Sequence, residues 1–229
     1  MLAVFAAFCA SLLIGPAAIG LQDVLDAPFA GRIDTAALII REIRLPRALL
    51  GLMIGATLGL AGAALQGFLR NPLAEPGLIG VSASASLGAV LTFHTGLSGL
   101  FAVALPLGGM VGAGLGVAVV QGLAGREASP LSLILAGVAV TSFAGALTSL
   151  ALNLAPNPFA ALEIMFWLMG SLADRSFDHV WVSAPFMVAG WGLLIPLGRA
   201  LDALTLGEDA ARTLGFELGA VRRRLVLGT

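Results

Sequence analysis

The side chains able to do chemistry in this sequence do not form a catalytic or metal-binding set. His94 and His179 stand alone, and neither has a second ligand at helical spacing on the same predicted helix. The single cysteine, Cys9, excludes a disulfide framework and a multi-cysteine metal site. Lysine is absent, so the chain lacks the lysine-containing phosphate loop that binds ATP. We therefore expect no catalytic residue, no metal ligand and no cofactor.

Two arginines stand before a long apolar stretch, in the segment Ile43-Arg-Leu-Pro-Arg47. Guanidinium groups form two-pronged hydrogen bonds with carboxylates, so Arg44 and Arg47 are candidates for docking an acidic partner. The alternative is that both side chains snorkel from a helix end to the membrane interface. Because proline suits the first turn of a helix, Pro46 predicts that the second membrane span starts here.

The stretch from Leu204 to Gly215 differs in character from the apolar segments before it. Its acidic pair follows Gly207 and suits a helix amino terminus, and Gly215 suits a helix end. The pattern predicts a short amphipathic helix on the cytoplasmic side, either available to a partner or lying on lipid. Its candidate contact residues are Leu206, Gly207, Glu208, Ala211, Leu214 and Gly215.

Two further segments carry candidate functional residues. Small and hydroxyl-bearing residues share one face of the fifth predicted span, and such a face either packs against a neighbouring helix or lines a wet path. These residues are Gly137, Thr141, Gly145, Thr148 and Ser149, and the candidates for a path are Thr141, Gly145, Thr148 and Ser149. A helix breaker follows the second span, either as a short connector or as irregular backbone that lines a cavity. It consists of Asn71, Pro72, Pro76 and Gly77.

The elements that position these residues are membrane helices. Hydrophobic residues make up 59% of the chain and charged residues 11%, with a mean hydropathy of +1.00. Soluble domains carry about 25% charged residues. The net charge of −1 excludes binding to nucleic acid by phosphate neutralisation. Charge-free intervals long enough to cross a bilayer predict an all-α polytopic membrane protein with about six spans, near 2–20, 48–69, 78–94, 99–124, 131–153 and 180–199.

The arrangement of the spans is indicated by small residues and by arginines. Glycines recur at four-residue intervals in two spans, which predicts close approach of helix backbones. The first stripe is Gly51, Gly55, Gly59, Ala63 and Gly67, and the second is Gly108, Gly112 and Gly116. A cytoplasmic amino terminus places more arginines on the inner loops than on the outer ones, as the positive-inside rule favours. Arg44 and Arg47 are then expected outside, and Leu204–Gly215 inside.

Together these segments resemble the permease subunits of bacterial ABC importers for iron-siderophores, haem and cobalamin, the FecCD-type family. The likeness runs over nearly the whole chain in the family's order. The matching segments are Ile43–Arg47, Gln66 with Arg70–Val81, Leu133–Val138, Trp167–Ser171 and Leu204–Gly215.

The resemblance implies a ten-helix bundle, of which this chain resembles the amino-terminal part. We expect residues 1–229 to form one permease domain and residues 201–217 a cytoplasmic coupling region. The chain is expected to be either a fragment or a truncated gene product. The implied location is the bacterial inner membrane, and the implied partners are an ATP-binding subunit that hydrolyses ATP, a periplasmic substrate-binding protein and a second permease copy in a homodimer.

The resemblance also implies residue roles. Arg44 and Arg47 would meet acidic residues of the binding protein, Leu204–Gly215 would be the coupling helix, and the fifth span would line the translocation path. Replacing Ala211 by Asp is then expected to uncouple ATP hydrolysis while membrane insertion is unaffected. Two alternatives remain, a non-transporting truncated remnant and an ATP-independent transporter or channel. A transporter coupled to an ion gradient is expected to carry carboxylates within its spans, and the main charge-free intervals contain none, which disfavours the second alternative.

Overall fold

The chain is almost entirely helical in the computed structural model, which describes residues 2–17, 19–26, 34–100, 103–125, 130–155 and 157–229. The all-α fold predicted from composition is confirmed in these residues. The helices α1 to α12, in chain order, are Leu2–Leu13, Leu21–Asp26, Thr35–Leu38, Leu45–Leu69, Val81–His94, Ala104–Ala124, Pro130–Asn153, Pro158–Met169, Phe177–Leu194, Gly198–Thr205, Glu208–Thr213 and Leu218–Gly228.

Four helical stretches in the described ranges are long and apolar enough to cross a membrane. They are Thr35–Leu69, Ala104–Ala124, Leu131–Asn153 and Phe177–Thr205. The predicted spans 2–20 and 78–94 appear as the shorter apolar helices α1 and α5. At 1.5 Å per residue these two are about 18–21 Å long, which is less than the roughly 30 Å of a hydrocarbon core. Each of the six predicted spans therefore contains a helix, and four of these helices reach spanning length.

The second span begins earlier than Pro46, so that prediction was wrong. Asp34 caps the helical stretch by accepting the Ala36 N–H at 2.9 Å. From Thr35 the helix continues through a π-helical segment, Ile39–Arg44, directly into α4. The Leu45 N–H bonds to the Ile40 carbonyl, five residues back. In a regular α-helix the ring of a proline crowds the carbonyl four residues back, and its nitrogen donates no hydrogen bond. The wide π-helical turn just before Pro46 accommodates this proline, so the helix continues.

The chain divides into two compact units. The first contains Met1–Gly59 and Ser171–Gly190. Ala37 and Ile40 form a small buried cluster in it, against which Ile19 and Val24 pack. The glycines of α4 in this unit make no close backbone contact within the described residues, because a Cβ at Gly55 or Gly59 would meet open space.

The second unit contains Leu60–Gly170 and Trp191–Thr229, and it holds the larger core. Its largest buried side chains include Leu65, Ile79, Leu133, Leu197 and Leu225. The glycine stripe of α6 packs tightly against α5. A Cβ at Gly112 would collide with the Ser84 carbonyl and lie 2.9 Å from the Gly88 Cα, so this stripe serves the close helix contact that its spacing predicted.

Candidate functional site

Arg44 donates hydrogen bonds to the backbone carbonyls at the carboxyl-terminal end of α1. Its Nη1 donates to the Leu12 and Leu13 carbonyls at 2.8 Å each, and its Nη2 donates to the Ala17 carbonyl at 2.6 Å. The last carbonyls of a helix have no partner inside the helix, and a cation is favoured there. Only 7% of the Arg44 surface is exposed. A Cβ at Gly15 would lie 2.6 Å from Nη2, so glycine leaves the room that the guanidinium occupies.

Arg47, one turn further along, is exposed to solvent. The two arginines that the sequence presented as a pair therefore lie in different surroundings. Arg44 is engaged by backbone carbonyls and is closed to a partner in this conformation, whereas Arg47 is open. The docking prediction consequently rests on Arg47.

The predicted coupling helix is present as α11, Glu208–Thr213. Gly207 before it has φ 107°, and Gly215 after it has φ 89°, a region that favours glycine. At the helix end the Phe216 N–H bonds to the Ala211 carbonyl at 3.1 Å and the Gly215 N–H to the Arg212 carbonyl at 2.9 Å. This is the Schellman arrangement that the terminal glycine suits.

The contact residues predicted around α11 divide into inward and outward ones. Ala211 has no exposed surface and belongs to the core of the second unit. An aspartate there would bury a charge, so Ala211→Asp is expected to destabilise this core and does not isolate an effect on coupling. Unaffected membrane insertion stays a prediction. Leu206 and Leu214 point outward, with 72% and 61% of their surface exposed. Glu208 forms an ion pair with Arg212 at 3.7 Å on the helix surface.

The small and hydroxyl-bearing residues of the fifth span largely share the open face of α7. Thr141, Gly145 and Ser149 are exposed and Thr148 is half-buried. A Cβ at Gly145 would meet no atom within 4 Å. Gly137 does not share this face, because it is buried and a Cβ there would collide with the Leu78 carbonyl. The opposite face is buried and apolar, with Leu133, Ala136, Val140 and Ala144. The predicted path residues therefore lie away from the core of their own unit.

The breaker after α4 is a compact turn held by its own polar groups. The Asn71 Oδ1 accepts the Leu73 N–H at 2.9 Å, and Gln66 Nε2 donates to the Ala74 carbonyl at 3.3 Å. Pro72 lies exposed in this turn, and Pro76 and Gly77 begin the 3-10 helix Pro76–Ile79. Two residues that flank this segment have a positive φ, Arg70 with 50° and Gly80 with 76°, whereas Gly77 does not. At Gly80 a Cβ would lie 3.0 Å from the Gly137 carbonyl of α7.

Sequence reasoning missed the role of Arg44 and did not consider Glu163. The role of Arg44 has no sequence signal, because its acceptors lie 27–32 residues away. Glu163 lies exposed on the apolar helix α8, on the same face as Phe159 and Phe166. Its signal was a carboxylate inside an apolar helical segment. Within the described ranges, no group of three His, Cys, Asp or Glu side chains is placed to hold a metal ion.

The profile of the FecCD transport family matches residues 2–228. The ferric enterobactin transport system permease protein FepD of Escherichia coli (strain K12) is 42% identical over 211 residues, which are 90% of this chain and 61% of FepD. The cobalamin import system permease protein BtuC of Halobacterium salinarum is 36% identical over 196 residues, 84% of this chain and 52% of that protein.

Other similar proteins agree with these. YvrB of Bacillus subtilis (strain 168), an uncharacterized ABC transporter permease protein, is 41% identical over 185 residues, 79% of this chain and 52% of YvrB. The chain thus spans about half to three fifths of the length of these relatives. A solved structure assigned to the metal-chelate type of ABC transporter, in an inward-facing conformation, matches 99% of this chain and 70% of its own, with a TM-score of 0.84 and 27% identity.

The cap on α1 predicts different effects for the two arginines. Arg44→Met leaves three backbone carbonyls without their donor, so we expect a loss of about 1.5–3 kcal/mol in stability. Arg47→Met removes an exposed charge, and we expect a change within about 0.5 kcal/mol. The measurement is denaturant or thermal unfolding of the purified chain in detergent without added lipid. Equal unfolding midpoints for the two variants would contradict the assignment of Arg44 as the cap.

Proposed function

Because this multi-pass membrane chain belongs to the FecCD transport family, we propose that it is a permease subunit of an ATP-driven importer that receives its cargo from a binding protein. The proposed cargo is a metal chelate of the iron-siderophore, haem or cobalamin type. The names of two relatives, which refer to ferric enterobactin and cobalamin, support this class. ATP hydrolysis takes place on a separate subunit in this proposal, since the chain lacks the lysine of a phosphate loop.

The observation that carries the proposal is the surface around α11. Ala211 anchors this short helix in the core, while Leu206 and Leu214 project from its two ends. Exposed leucines beside a polar helix are suited to an apolar recess on a partner, and burial of each side chain contributes roughly 1.5–3 kcal/mol. The partner proposed is the ATP-binding subunit. Glycine turns hold the helix at both ends, so a movement of the ATP-binding subunit can displace it as a rigid element.

The translocation path is proposed to run along the open face of α7. Hydroxyl groups and a bare glycine backbone at Thr141, Gly145 and Ser149 suit a wet surface better than hydrocarbon. A second permease copy facing this surface would close the path, in a homodimer in which Thr148 lies at the edge. Alternating access then needs different contacts in the two gate states. Gly145→Cys tests this placement, because a water-soluble thiol reagent should label a cysteine that lies on a wet path.

Docking of the binding protein is proposed at Arg47. An exposed guanidinium within the helical stretch Thr35–Leu69 can meet a carboxylate in two-pronged geometry. A partly exposed pair contributes only about 0.2–1 kcal/mol to affinity. Its larger effect is on the association rate, because opposite charges steer the encounter. Arg44 supports this site indirectly by holding α1 against the same stretch of helix.

The α11 surface predicts a coupling defect. Leu206→Ser combined with Leu214→Ser should weaken binding of the ATP-binding subunit at least about tenfold, because two apolar side chains lose their buried contacts. Leu227→Ser, on α12, is the matched control, since Leu227 is also 61% exposed. The measurements are the mass and subunit ratio of the co-purified complex, its ATPase rate, and uptake of ferric siderophore, haem and cobalamin into proteoliposomes with the binding protein.

The outcomes separate the proposed function from its alternatives. We expect ATP-dependent uptake of one chelate class, lost in the double variant and retained in the control. Uptake driven by an ion gradient without the ATP-binding subunit would contradict the ATP-driven importer. An equal loss of binding and uptake in the double variant and in Leu227→Ser would show that α11 is not the contact with the ATP-binding subunit.

The exposed arginine predicts a defect in capture. Arg47→Glu should slow association of the loaded binding protein and reduce the dependence of the rate on ionic strength, because steering attraction becomes repulsion. Arg199→Glu is the control, since Arg199 is exposed and is expected on the opposite side of the membrane. Association is measured by surface-immobilised nanodiscs that contain the transporter.

Charge reversal at the partner completes this test. A lysine at the acidic residue of the binding protein that faces position 47 should restore the rate with Arg47→Glu and slow it with the wild-type permease. If Arg47→Glu leaves both the rate and its salt dependence as in wild type, Arg47 is an interfacial anchor and docking occurs elsewhere.

A further inference from the structure

A cavity of about 810 Å³ opens in the first unit between α1 and the helical stretch that leads into α4. One end is formed by the turn Gly15–Ala17 together with Arg44 and Arg47. The walls away from this end are apolar, with Val4, Phe8 and Leu52 among them. A volume in this range is typical of a site for a small molecule rather than of a packing defect.

The polar end of this cavity carries positive charge, and no carboxylate balances it among the lining residues that the structure describes. The charged residues among those that line it in the described chain are Arg44 and Arg47 alone. The carbonyl dipoles at the end of α1 offset part of the charge of Arg44. The charge of Arg47 is left for a ligand, and an anion is favoured there because guanidinium forms strong bonds to phosphate and carboxylate oxygens.

The apolar part of the cavity has the length of an acyl chain in one leaflet. Along α1 it extends from Ile14 back to Val4. Ten residues of helix rise about 15 Å, which is half of a hydrocarbon core of roughly 30 Å. The cavity therefore offers a cationic group at one end and an apolar wall as deep as one leaflet.

We propose that this cavity binds an anionic phospholipid, with the phosphate at Arg47 and one acyl chain along the α1 wall. The inference goes beyond the transport function, because it assigns a lipid to a site that transport does not require. It has one consequence for docking. The lipid phosphate and a carboxylate of the binding protein compete for the same guanidinium, so anionic lipid slows capture in proportion to its occupancy.

The test compares lipids of equal chains and two tryptophan variants on one helix. The probes are dioleoyl-phosphatidylglycerol, dioleoyl-phosphatidylcholine and inorganic phosphate, added to the detergent-purified protein. Ala7→Trp fills the cavity, since Ala7 lines it, while Ala6→Trp is the control, since Ala6 is equally exposed but lies outside the lining. Retained lipid is counted by native mass spectrometry, and affinity is measured by titration of the unfolding temperature.

We expect phosphatidylglycerol to be retained in preference to phosphatidylcholine by the wild type and by Ala6→Trp. Ala7→Trp should lose the retained lipid, and Arg47→Gln should weaken it roughly two- to fivefold, the effect of a partly exposed charge pair. Equal retention of both lipids, or unchanged retention in Ala7→Trp, would overturn the proposal. Stabilisation by inorganic phosphate as strong as by phosphatidylglycerol would also overturn it, since the ligand would then be a free anion.

Nanodiscs of two lipid compositions distinguish failure of the lipid proposal from failure of the docking proposal. In nanodiscs of phosphatidylcholine, Ala7→Trp should capture the binding protein at the wild-type rate, because Arg47 is untouched. In nanodiscs with phosphatidylglycerol, the wild type should be slowed and Ala7→Trp should not. A slowing that is equal in Ala7→Trp and wild type would assign the effect to general surface charge and contradict the lipid site, whatever the fate of docking.

Discussion

The backbone groups at a helix end have no hydrogen-bond partner inside the helix, and several features of this chain answer that constraint. Three interruptions of helical structure in the described residues are held by groups of the chain itself. The end of α1 is held by the Arg44 guanidinium, the turn after α4 by the Asn71 side chain, and the end of α11 by a glycine turn. The residues that hold these ends are engaged within the chain itself. They set the positions of the neighbouring side chains that remain open.

The open side chains next to those held ends are the ones for which we propose partners. Arg47 lies beside the capped end of α1, and Leu206 and Leu214 flank the anchored helix α11. A partner that binds at such a position meets a rigid element, so little conformational entropy is lost on binding. Rigid contact points also suit an importer, in which binding on one side must change contacts on the other.

Much of this arrangement follows from sequence pattern, and the exceptions have physical causes. The helical spans and the FecCD resemblance were predicted, and the profile match confirms that resemblance. The helix start at Thr35 was missed because a π-helical turn accommodates Pro46 inside the helix, where a proline usually marks the first turn. The burial of Arg44 depends on carbonyls of a distant helix, which no local pattern encodes. Ala211 was misread because a six-residue helix is too short for periodicity to separate its inner from its outer face.

The central claim is that α11 presents Leu214 to the ATP-binding subunit while Ala211 holds the helix in the permease. The most direct measurement is site-specific crosslinking in a Cys9→Ser background, with Leu214→Cys compared to Leu227→Cys in the complete transporter. The account predicts a crosslink between Leu214→Cys and the ATP-binding subunit whose yield changes between the nucleotide-free and ATP-bound states, and little crosslinking from Leu227→Cys. Equal yields from the two positions, or no crosslink from Leu214→Cys in an active transporter, would contradict it.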